Sequence, residues 1–483
     1  MRTLHRLITG GIAIAAVLVL ISACAVGPDY ARPTAPVPES YKENKGWKVA
    51  EPKDDMLRGP WWVIYNDPRL NALEEQVNIS NQNIAVAEAQ FRQASALVQA
   101  ATSSFFPVLT ANPAATRSLR SSNISQSTIP SGTNTIYAAP LNVSPWELDV
   151  WGRIRRTVEA ARASAQASAA DLEGVRLSVQ ASLAQNYFII CALDRQRQLL
   201  DSTITAYRRS LDLTRNQYES GVASRADVLE AETQLKTTHA QAIDVGVQRA
   251  QVEHAIALLV GKPASDFSIP VMPLDSVPPP IPSGVPSELL ERRPDIAGAE
   301  RRVAAANAQI GVAKAAYFPT ITLTGSMGYQ STDTFNLFTW PSRFWSVGPA
   351  MAETLFDGGL RQALNDQALA AYDGAVASYR QTVLTGFQEV EDNLAALRIL
   401  EEEAQVQEEA VNAAQKYLEI AVNQYKEGMV NYINVVIAQA MALNNERTAV
   451  NILGRRMAAS VLLIKALGGG WGKNGKEEAF QSR

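Results

Sequence analysis

The chain has 483 residues, 47% hydrophobic and 19% charged, with 44 basic and 48 acidic side chains. That is material for two or three ordinary domains and too apolar for a disordered chain. Two cysteines (Cys24, Cys191) and three histidines (His5, His239, His254) leave little for a disulfide framework, a metal cage or a His-centred catalytic site. A net charge of −4 without a basic block argues against nucleic acid as a partner. No cofactor is expected.

Residues 1–23 carry Arg2 and Arg6, the apolar run Leu7–Ile21 and no acid, the layout of a secretory signal. They end in Ile21-Ser22-Ala23-Cys24, which resembles the bacterial lipobox, in which Cys24 is lipidated and becomes the first mature residue. The alternative is an ordinary signal peptide with Cys24 a bystander. In the lipobox pattern Ala25, in place of Asp, favours the outer membrane. The mature chain, 42 basic against 48 acidic side chains, has a net charge of −6 and no second internal thiol to pair with Cys191. Its stability must come from burial, helix packing or assembly. Residues 24–65 read as an N-terminal extended segment.

All 24 prolines fall in a few zones, leaving 69–106, 146–262, 295–318 and 350–483 free of them. An interior proline costs a helix about 3 kcal/mol, so these intervals are predicted helical. From Leu172 through Val175, Val179, Leu183, Ile190, Leu193, Leu200, Ile204, Tyr207 and Leu211 to Tyr218, apolar residues recur every three or four positions, as in a coiled-coil seam. One helix running from about Arg153 to Glu219 would be on the order of 100 Å long. His239 and His254 fall about 22 Å apart on a second helix and cannot share a metal ion.

The segment Leu211–Val222, with Asn216-Gln217-Tyr218 and Gly221, is echoed by Leu418–Met429, with Asn423-Gln424-Tyr425 and Gly428, at an offset of 207; Phe106-Pro107 recurs as Phe318-Pro319 at 212. One large unit has been used twice. The expected organisation is a first repeat over 66–262, a proline-rich linker over 263–286, a second repeat over 287–470 and a tail over 471–483. Each repeat is predicted as helix, two-strand segment, long helix, turn and returning helix, with reversals near Gly221 and Gly428, where glycine accepts a left-handed helix stop.

The two-strand segments are 107–149 and 319–357. In the second, Ile321, Leu323, Met327 and Tyr329 alternate with Thr320, Thr322, Thr324, Ser326 and Gly328 over about the length of a tilted bilayer-crossing strand. Trp345, Val347 and Met351 give a return strand, and Trp340, Phe344 and Trp345 suit an aromatic girdle. In the first, Tyr137, Ala139, Leu141 and Val143 alternate with Asn142 and Ser144, while 107–121 alternates weakly. The competing reading is a soluble hairpin. Four strands cannot close a barrel and open edges are not tolerated in lipid, so the chain must assemble. Two copies give eight strands around a side-chain-filled interior, and three give twelve with room for a channel.

The sequence resembles the outer membrane factor (TolC/OprM-like) family, most closely its NodT-type lipoproteins. The resemblance rests on Cys24 with Val26-Gly27-Pro28-Asp29-Tyr30 and Pro33; on Trp61-Trp62 with Asn66-Asp67-Pro68 and Leu70; and on Glu291-Arg292-Arg293-Pro294-Asp295-Ile296 with Ala299-Glu300, Ala306-Asn307-Ala308, Ile310-Gly311 and Phe318-Pro319. It implies a mainly α chain with a transmembrane β part: a homotrimer with a twelve-stranded β-barrel in the outer membrane of a Gram-negative bacterium and a long periplasmic α-helical barrel. It implies a passive exit duct, not an enzyme, for small toxic solutes or drugs. The duct would be docked to a periplasmic adaptor and an inner-membrane pump of the resistance-nodulation-division type.

In that family the periplasmic end narrows at the turns that here follow Gly221 and Gly428, so Gly221, Val222, Gly428 and Met429 are candidates for the turn and for adaptor docking. Asp227 and Glu230 lie three apart after the first turn, either as part of a carboxylate ring or as a solvated helix face. The 207 offset takes them to Asn434 and Ile437, where the family often has aspartates, so an apolar constriction at Ile437 stands beside the acidic one. Tyr425 matches a tyrosine that links neighbouring helices in the family's closed state, or packs in the seam. The alternative function is a lipid-anchored periplasmic coiled-coil adaptor or structural lipoprotein, which leaves the paired strand segments without a use.

Overall fold

The computed structural model describes residues 25–38, 40–43, 60–119, 133–281 and 292–469; residues 1–23, Cys24, 282–286, Glu291 and the tail 471–483 lie outside the described residues. In the first half, α1 (Pro68–Ser80) and α2 (Gln82–Ser103) lead through strands to α3 (Arg153–Glu219) and α4 (Arg225–Leu259). In the second, α5 (Pro294–Ala315) leads through strands to α6 (Leu360–Lys426) and α7 (Tyr432–Ala466). Helices α3 and α6 have 67 residues each, α4 and α7 have 35, and α2 and α5 have 22. Each pair begins at the offset found in the sequence, 207 for the long and returning helices and 212 for α2 and α5. The duplication is therefore structural.

Glycine sets both reversals. After α3 the Gly221 amide donates to the Tyr218 carbonyl (2.9 Å) and the Val222 amide to that of Gln217 (2.8 Å); after α6 Gly428 bonds Tyr425 (3.0 Å) and Met429 bonds Gln424 (2.9 Å). With φ of 74° at Gly221 and 75° at Gly428, these are matching Schellman stops, a conformation that strains any residue with a Cβ. Along α3 the seam residues Val179, Leu183, Ile190, Leu193, Leu200, Ile204, Tyr207 and Leu211 are buried. Leu172 and Val175 are only half-buried and Tyr218 is exposed, so the buried stripe is shorter than the periodicity predicts. Tyr218 lies beside the chain reversal and is exposed, whereas its repeat equivalent Tyr425 is buried.

The sheet is antiparallel and consists of β1 (Leu109–Ala111), β2 (Ala114–Leu119), β3 (Thr133–Glu147), β4 (Thr320–Ser331) and β5 (Arg343–Ala352). β1 and β2 lie in one line against β3 with an unbroken register, Leu109 opposite Val143 and Ala114 opposite Ala138. The gap between them holds Pro113, and the residue facing Asn112 is Pro140, so two backbone donors are missing where the ladder lapses. The two halves are joined by β3 against β4, and the order is β1/β2, β3, β4, β5. Gly328 faces Pro140, and a Cβ on it would stand 2.3 Å from the Ala139 carbonyl oxygen. Gly328→Val is accordingly expected to unzip β3 from β4, read as lost sheet signal in circular dichroism and faster proteolysis; wild-type behaviour in both would show that the strands part freely there.

The chain forms two compact units, each drawing on both halves. The first comprises described residues within 1–34, 90–168 and 299–379. Here the N-terminal strap is held by Arg156, whose buried guanidinium donates to Asp29 (3.0 Å), Glu159 (2.9 Å) and the Val26 carbonyl (3.3 Å). The Val26 amide reaches the Trp151 carbonyl (3.0 Å), Asn307 Nδ2 donates to the Pro28 carbonyl (3.0 Å), and the Tyr30 hydroxyl donates to Glu300 (3.2 Å). Gly27 lies so close to Gly311 that a Cβ would stand 2.5 Å from its Cα. Two of the motif clusters thus meet in one place.

The second unit spans 35–89, 169–298 and 380–483. Trp61 and Trp62 are buried, Asp67 caps α1 at its Arg69 and Leu70 amides, and the Tyr187 hydroxyl donates to the same carboxylate. Arg293 is buried between Asp295 (2.7 Å), Glu389 (2.6 Å) and the Ala466 carbonyl (3.0 Å), tying the start of α5 and the end of α7 to the middle of α6. Cys191 is buried, which pushes its thiol up to about 12 and leaves it a small hydrophobe.

Candidate functional site

The sheet has two chemically distinct faces. Register aligns Leu141, Met327 and Trp345 in one row across three strands and Val143, Gly325 and Val347 in the next. Leu141, Met327, Trp345, Val347 and Met351 are exposed, although every one is apolar. On the other face stand Thr320, Thr322, Thr324, Ser326, Asn142 and Ser346, with Ser326 Oγ donating to Asn142 Oδ1 at 2.7 Å. One surface is suited to hydrocarbon and the other to water. Trp340 and Trp345 are also exposed, as a girdle requires, whereas Phe344 pairs with Gly328 and falls on the polar face, so the expected girdle loses that member. Among the described residues no helix is long and apolar enough to cross a membrane.

The turn region lies in the second unit. Its packing is a cluster of Leu211, Ala231, Tyr425, Tyr432 and Val435 with Val228, Leu235 and Val422 against it. The Tyr425 and Tyr432 rings meet edge to face at 5.2 Å. Tyr425 donates to Thr214 Oγ1 at 3.4 Å, and the Tyr432 hydroxyl lies 3.2 Å from Ser210 Oγ. Burial raises both phenols above the ordinary tyrosine range, and Asp227 reinforces the shift on each, with Glu230 acting on Tyr432. Both therefore stay protonated and can donate at physiological pH. The structure thus brings Asp227, Glu230 and Tyr425 together across the two repeats, around a Tyr432 that sequence reasoning did not single out. The signal was available: Tyr432 opens α7 four residues after Gly428, where the first repeat has Arg225.

Asp227 has a local task. The Ser224 amide donates to its carboxylate (2.8 Å) while the Asp227 amide donates to Ser224 Oγ (3.2 Å), a reciprocal capping box at the start of α4. Its counterpart Asn434 instead turns its amide to the Asn431 carbonyl (3.3 Å). Glu230 is half-buried, whereas Ile437 is exposed and continues a stripe of Ile433, Ile437 and Met441 at intervals of four along α7. In the first repeat the same positions are Ala226, Glu230 and Gln234, so the two turns differ in polarity. Val222 and Met429, at matching places just past the glycine stops, are 72% and 62% exposed. His239 and His254 are both exposed on α4.

The family model described as outer membrane efflux protein matches residues 73–262 and 285–469. Curated relatives include the probable efflux pump outer membrane protein TtgC of Pseudomonas putida, 32% identical over 456 residues that cover 94% of each chain. Another is outer membrane protein OprJ of Pseudomonas aeruginosa, 31% identical and covering 95% of this chain and 96% of its own. Among solved structures, the outer-membrane channel OprN superposes with a TM-score of 0.87 at 30% identity, covering 93% of this chain and 100% of that one. The open state of the MtrE outer membrane channel of Neisseria gonorrhoeae gives 0.80 at 26% identity, covering 93% and 99%.

Proposed function

This chain belongs to the outer membrane efflux protein family and is an outer-membrane exit duct of an efflux pump, and we propose that three copies close it as a twelve-stranded barrel. The observation that carries the proposal is the sheet itself. Four lines of strand, of which β3, β4 and β5 are apolar on one face and polar on the other, end at two edges that have no partner among the described residues, β1/β2 and β5. Each bare N–H or C=O costs several kcal/mol in hydrocarbon, so the edges must meet partners. Two copies would make a barrel whose interior is filled by side chains, whereas three leave a wet lumen lined by Thr322, Thr324, Ser326 and Asn142. Helices on the order of 100 Å then extend the duct through the periplasm.

Cys24 is the point of lipid attachment in this reading, with acyl chains in the outer membrane. The strap supports this, because Ala25 packs against Gly152, just beyond the end of β3. The duct performs no reaction and holds no cofactor; it passes small toxic solutes or drugs handed on by a periplasmic adaptor and an inner-membrane pump of the resistance-nodulation-division type. Relatives named for toluene and antibiotic efflux fit that cargo class. Val222 and Met429, apolar and exposed at the turns, are the docking points for the adaptor. Asp227, Glu230, Asn434 and Ile437 line or frame the constriction, and Tyr425 with Tyr432 braces it. In detergent the protein is expected to migrate as a heat-modifiable trimer and to give conductance steps in planar bilayers. A stable monomer without conductance would overturn the ring.

Within that reading the constriction is apolar at Ile437. Ile437→Asp adds three carboxylates per ring and is expected to raise cation over anion permeability in bilayer recordings, more at low salt than at high. Identical reversal potentials in the two proteins would remove Ile437 from the lumen.

A further inference from the structure

The internal junction of the two repeats gives the register of the junction between copies. Moving 212 positions carries β1 and β2 onto β4, Leu109 onto Ile321, and moving 208 carries β3 onto β5, Val143 onto Met351, with the pairing Leu109–Val143 becoming Ile321–Met351. The irregularity between Val143 and Trp146 reduces the second offset to 207 beyond it. β3 against β4 is therefore a junction between the end of one repeat and the start of the other. The free edges β5 and β1/β2 are the same two surfaces, one repeat on.

We propose that β5 of each copy pairs with β2 and β1 of the adjoining copy in the register of β3 against β4, so that Trp345 faces Leu119, Ser346 faces Ser118, Val347 faces Arg117 and Leu355 faces Leu109. The inference rests on the ring reading above and adds the register to it. Transfer of Tyr137–Ser331 and Ala138–Gln330 yields the first two pairs, and transfer of Ala139–Tyr329 the third. The last comes from the Leu148 amide, which donates to the Ile321 carbonyl at 2.8 Å.

Hydrogen-bond direction agrees independently. That bond turns the odd residues of β4 towards β3 and the even ones towards β5, so the odd residues of β5 turn their polar groups to the free edge. The Asn112 amide donates to the Pro140 carbonyl and the Ser144 amide to that of Val108, which leaves the odd residues of β1 and β2 facing outwards too. The transferred register joins odd to odd, and it sets Leu109, Ala115 and Leu119 on the same face as Trp345 and Val347, with Arg117 a charged residue on that face. Side chains agree as well. Leu355 and Phe356, 92% and 89% exposed just past β5, come beside Leu109 and Val108, which are exposed just past α2. The Pro140–Gly328 pair becomes Gly348–Thr116, again with a glycine on one side, and a Cβ at Gly348 meets nothing within 4 Å in the single chain.

Ser118 and Ser346 are small, face the polar side and form a non-hydrogen-bonded pair, whose Cα separation near 4.5 Å suits a disulfide. Within one chain they lie three strand spacings and eight residues of strand apart, since the row of Ser346 runs through Ser326 and Asn142 to Thr110; that is roughly 30 Å, and they cannot join. In the full-length membrane-extracted protein, copper-phenanthroline oxidation of Ser118→Cys/Ser346→Cys is expected to convert the monomer band into covalent dimer and trimer, reversed by reductant. Ser118→Cys with Phe344→Cys or with Gly348→Cys, two residues out of register, is expected to give little. Leu109→Cys/Leu355→Cys provides a second in-register pair should the serine variant fail to insert. Trimers by native mass measurement that cross-link only in an out-of-register pair would overturn the register and leave the ring. Monomers by native mass measurement would overturn both.

Discussion

Asp194→Ala is expected to free the Ile269–Leu274 strap from α3 and α4 and to destabilise the second unit by about 3–5 kcal/mol, the range for removing one partner of a buried ion pair. The Asp194 side chain is 1% exposed and that of Arg249 19%, with Oδ1 and Nε 2.6 Å apart. The other Asp194 oxygen accepts the Met272 amide (2.8 Å), while Arg249 Nη2 donates to the Ile269 carbonyl (2.8 Å). Glu253 accepts the Ile269 amide (2.6 Å), and the Leu274 amide reaches the Cys191 carbonyl (3.0 Å). Alanine leaves Arg249 with only Glu253 (3.3 Å) as a carboxylate partner and the buried Met272 amide without its acceptor, weakening two desolvated groups at once. Chymotrypsin should then cut at Phe267 much faster than in the parent, and the melting temperature should fall. Asp194→Asn, which keeps an acceptor but not the charge, should lie between. Unchanged cutting and melting in Asp194→Ala would show that the strap is held by its apolar residues Ile269, Met272 and Leu274 alone.

That ion pair marks a boundary in what the sequence discloses. Periodicity and glycine placement are properties of one element, and they carried the long helices, both reversals and the alternating faces of β3, β4 and β5 into view. The seam spacing continues to Tyr218, which is exposed, although the same position in the second repeat, Tyr425, is buried against Tyr432; spacing alone does not separate the two. The weak alternation of 107–121 belongs to β1 and β2, all but one of whose residues are exposed and whose ladder is interrupted beside Pro113. Partners between elements stayed hidden. Nothing adjacent to Asp194 distinguishes it from other helical acids, since Arg249 and Met272 reach it from 55 and 78 residues away. In the same way Asp227 reads as a gate acid by its place after the turn, and its geometry adds a capping box to Ser224 that the Ser-x-x-Asp spacing already permitted. Arg293 was legible only as part of a motif; its buried contacts to Glu389 and the Ala466 carbonyl supply the physical reason the motif needs a guanidinium there.

Glu74→Met should stabilise the protein above neutral pH and flatten its pH dependence. On α1 the positions Leu70, Glu74 and Val77 form one inward stripe, and all three are fully buried. Neither Glu74 carboxyl oxygen has a hydrogen-bond partner. Burial pushes the group up to about 9 from its ordinary 4.5. From about 4.5 to about 9 the unfolded chain has released a proton that the folded chain still holds. Stability therefore falls as pH rises through that window and is level on either side of it. At pH 7 the deficit is roughly 3 kcal/mol, from about 1.4 kcal/mol per pH unit. Methionine has similar length, fills the site with apolar atoms and has nothing to titrate. Melting curves of the detergent-extracted protein should nearly coincide for parent and variant at pH 5 and separate at pH 8, with the variant the more stable. Parallel losses in both proteins between those pH values would mean that other groups set the slope and that Glu74 ionises without penalty.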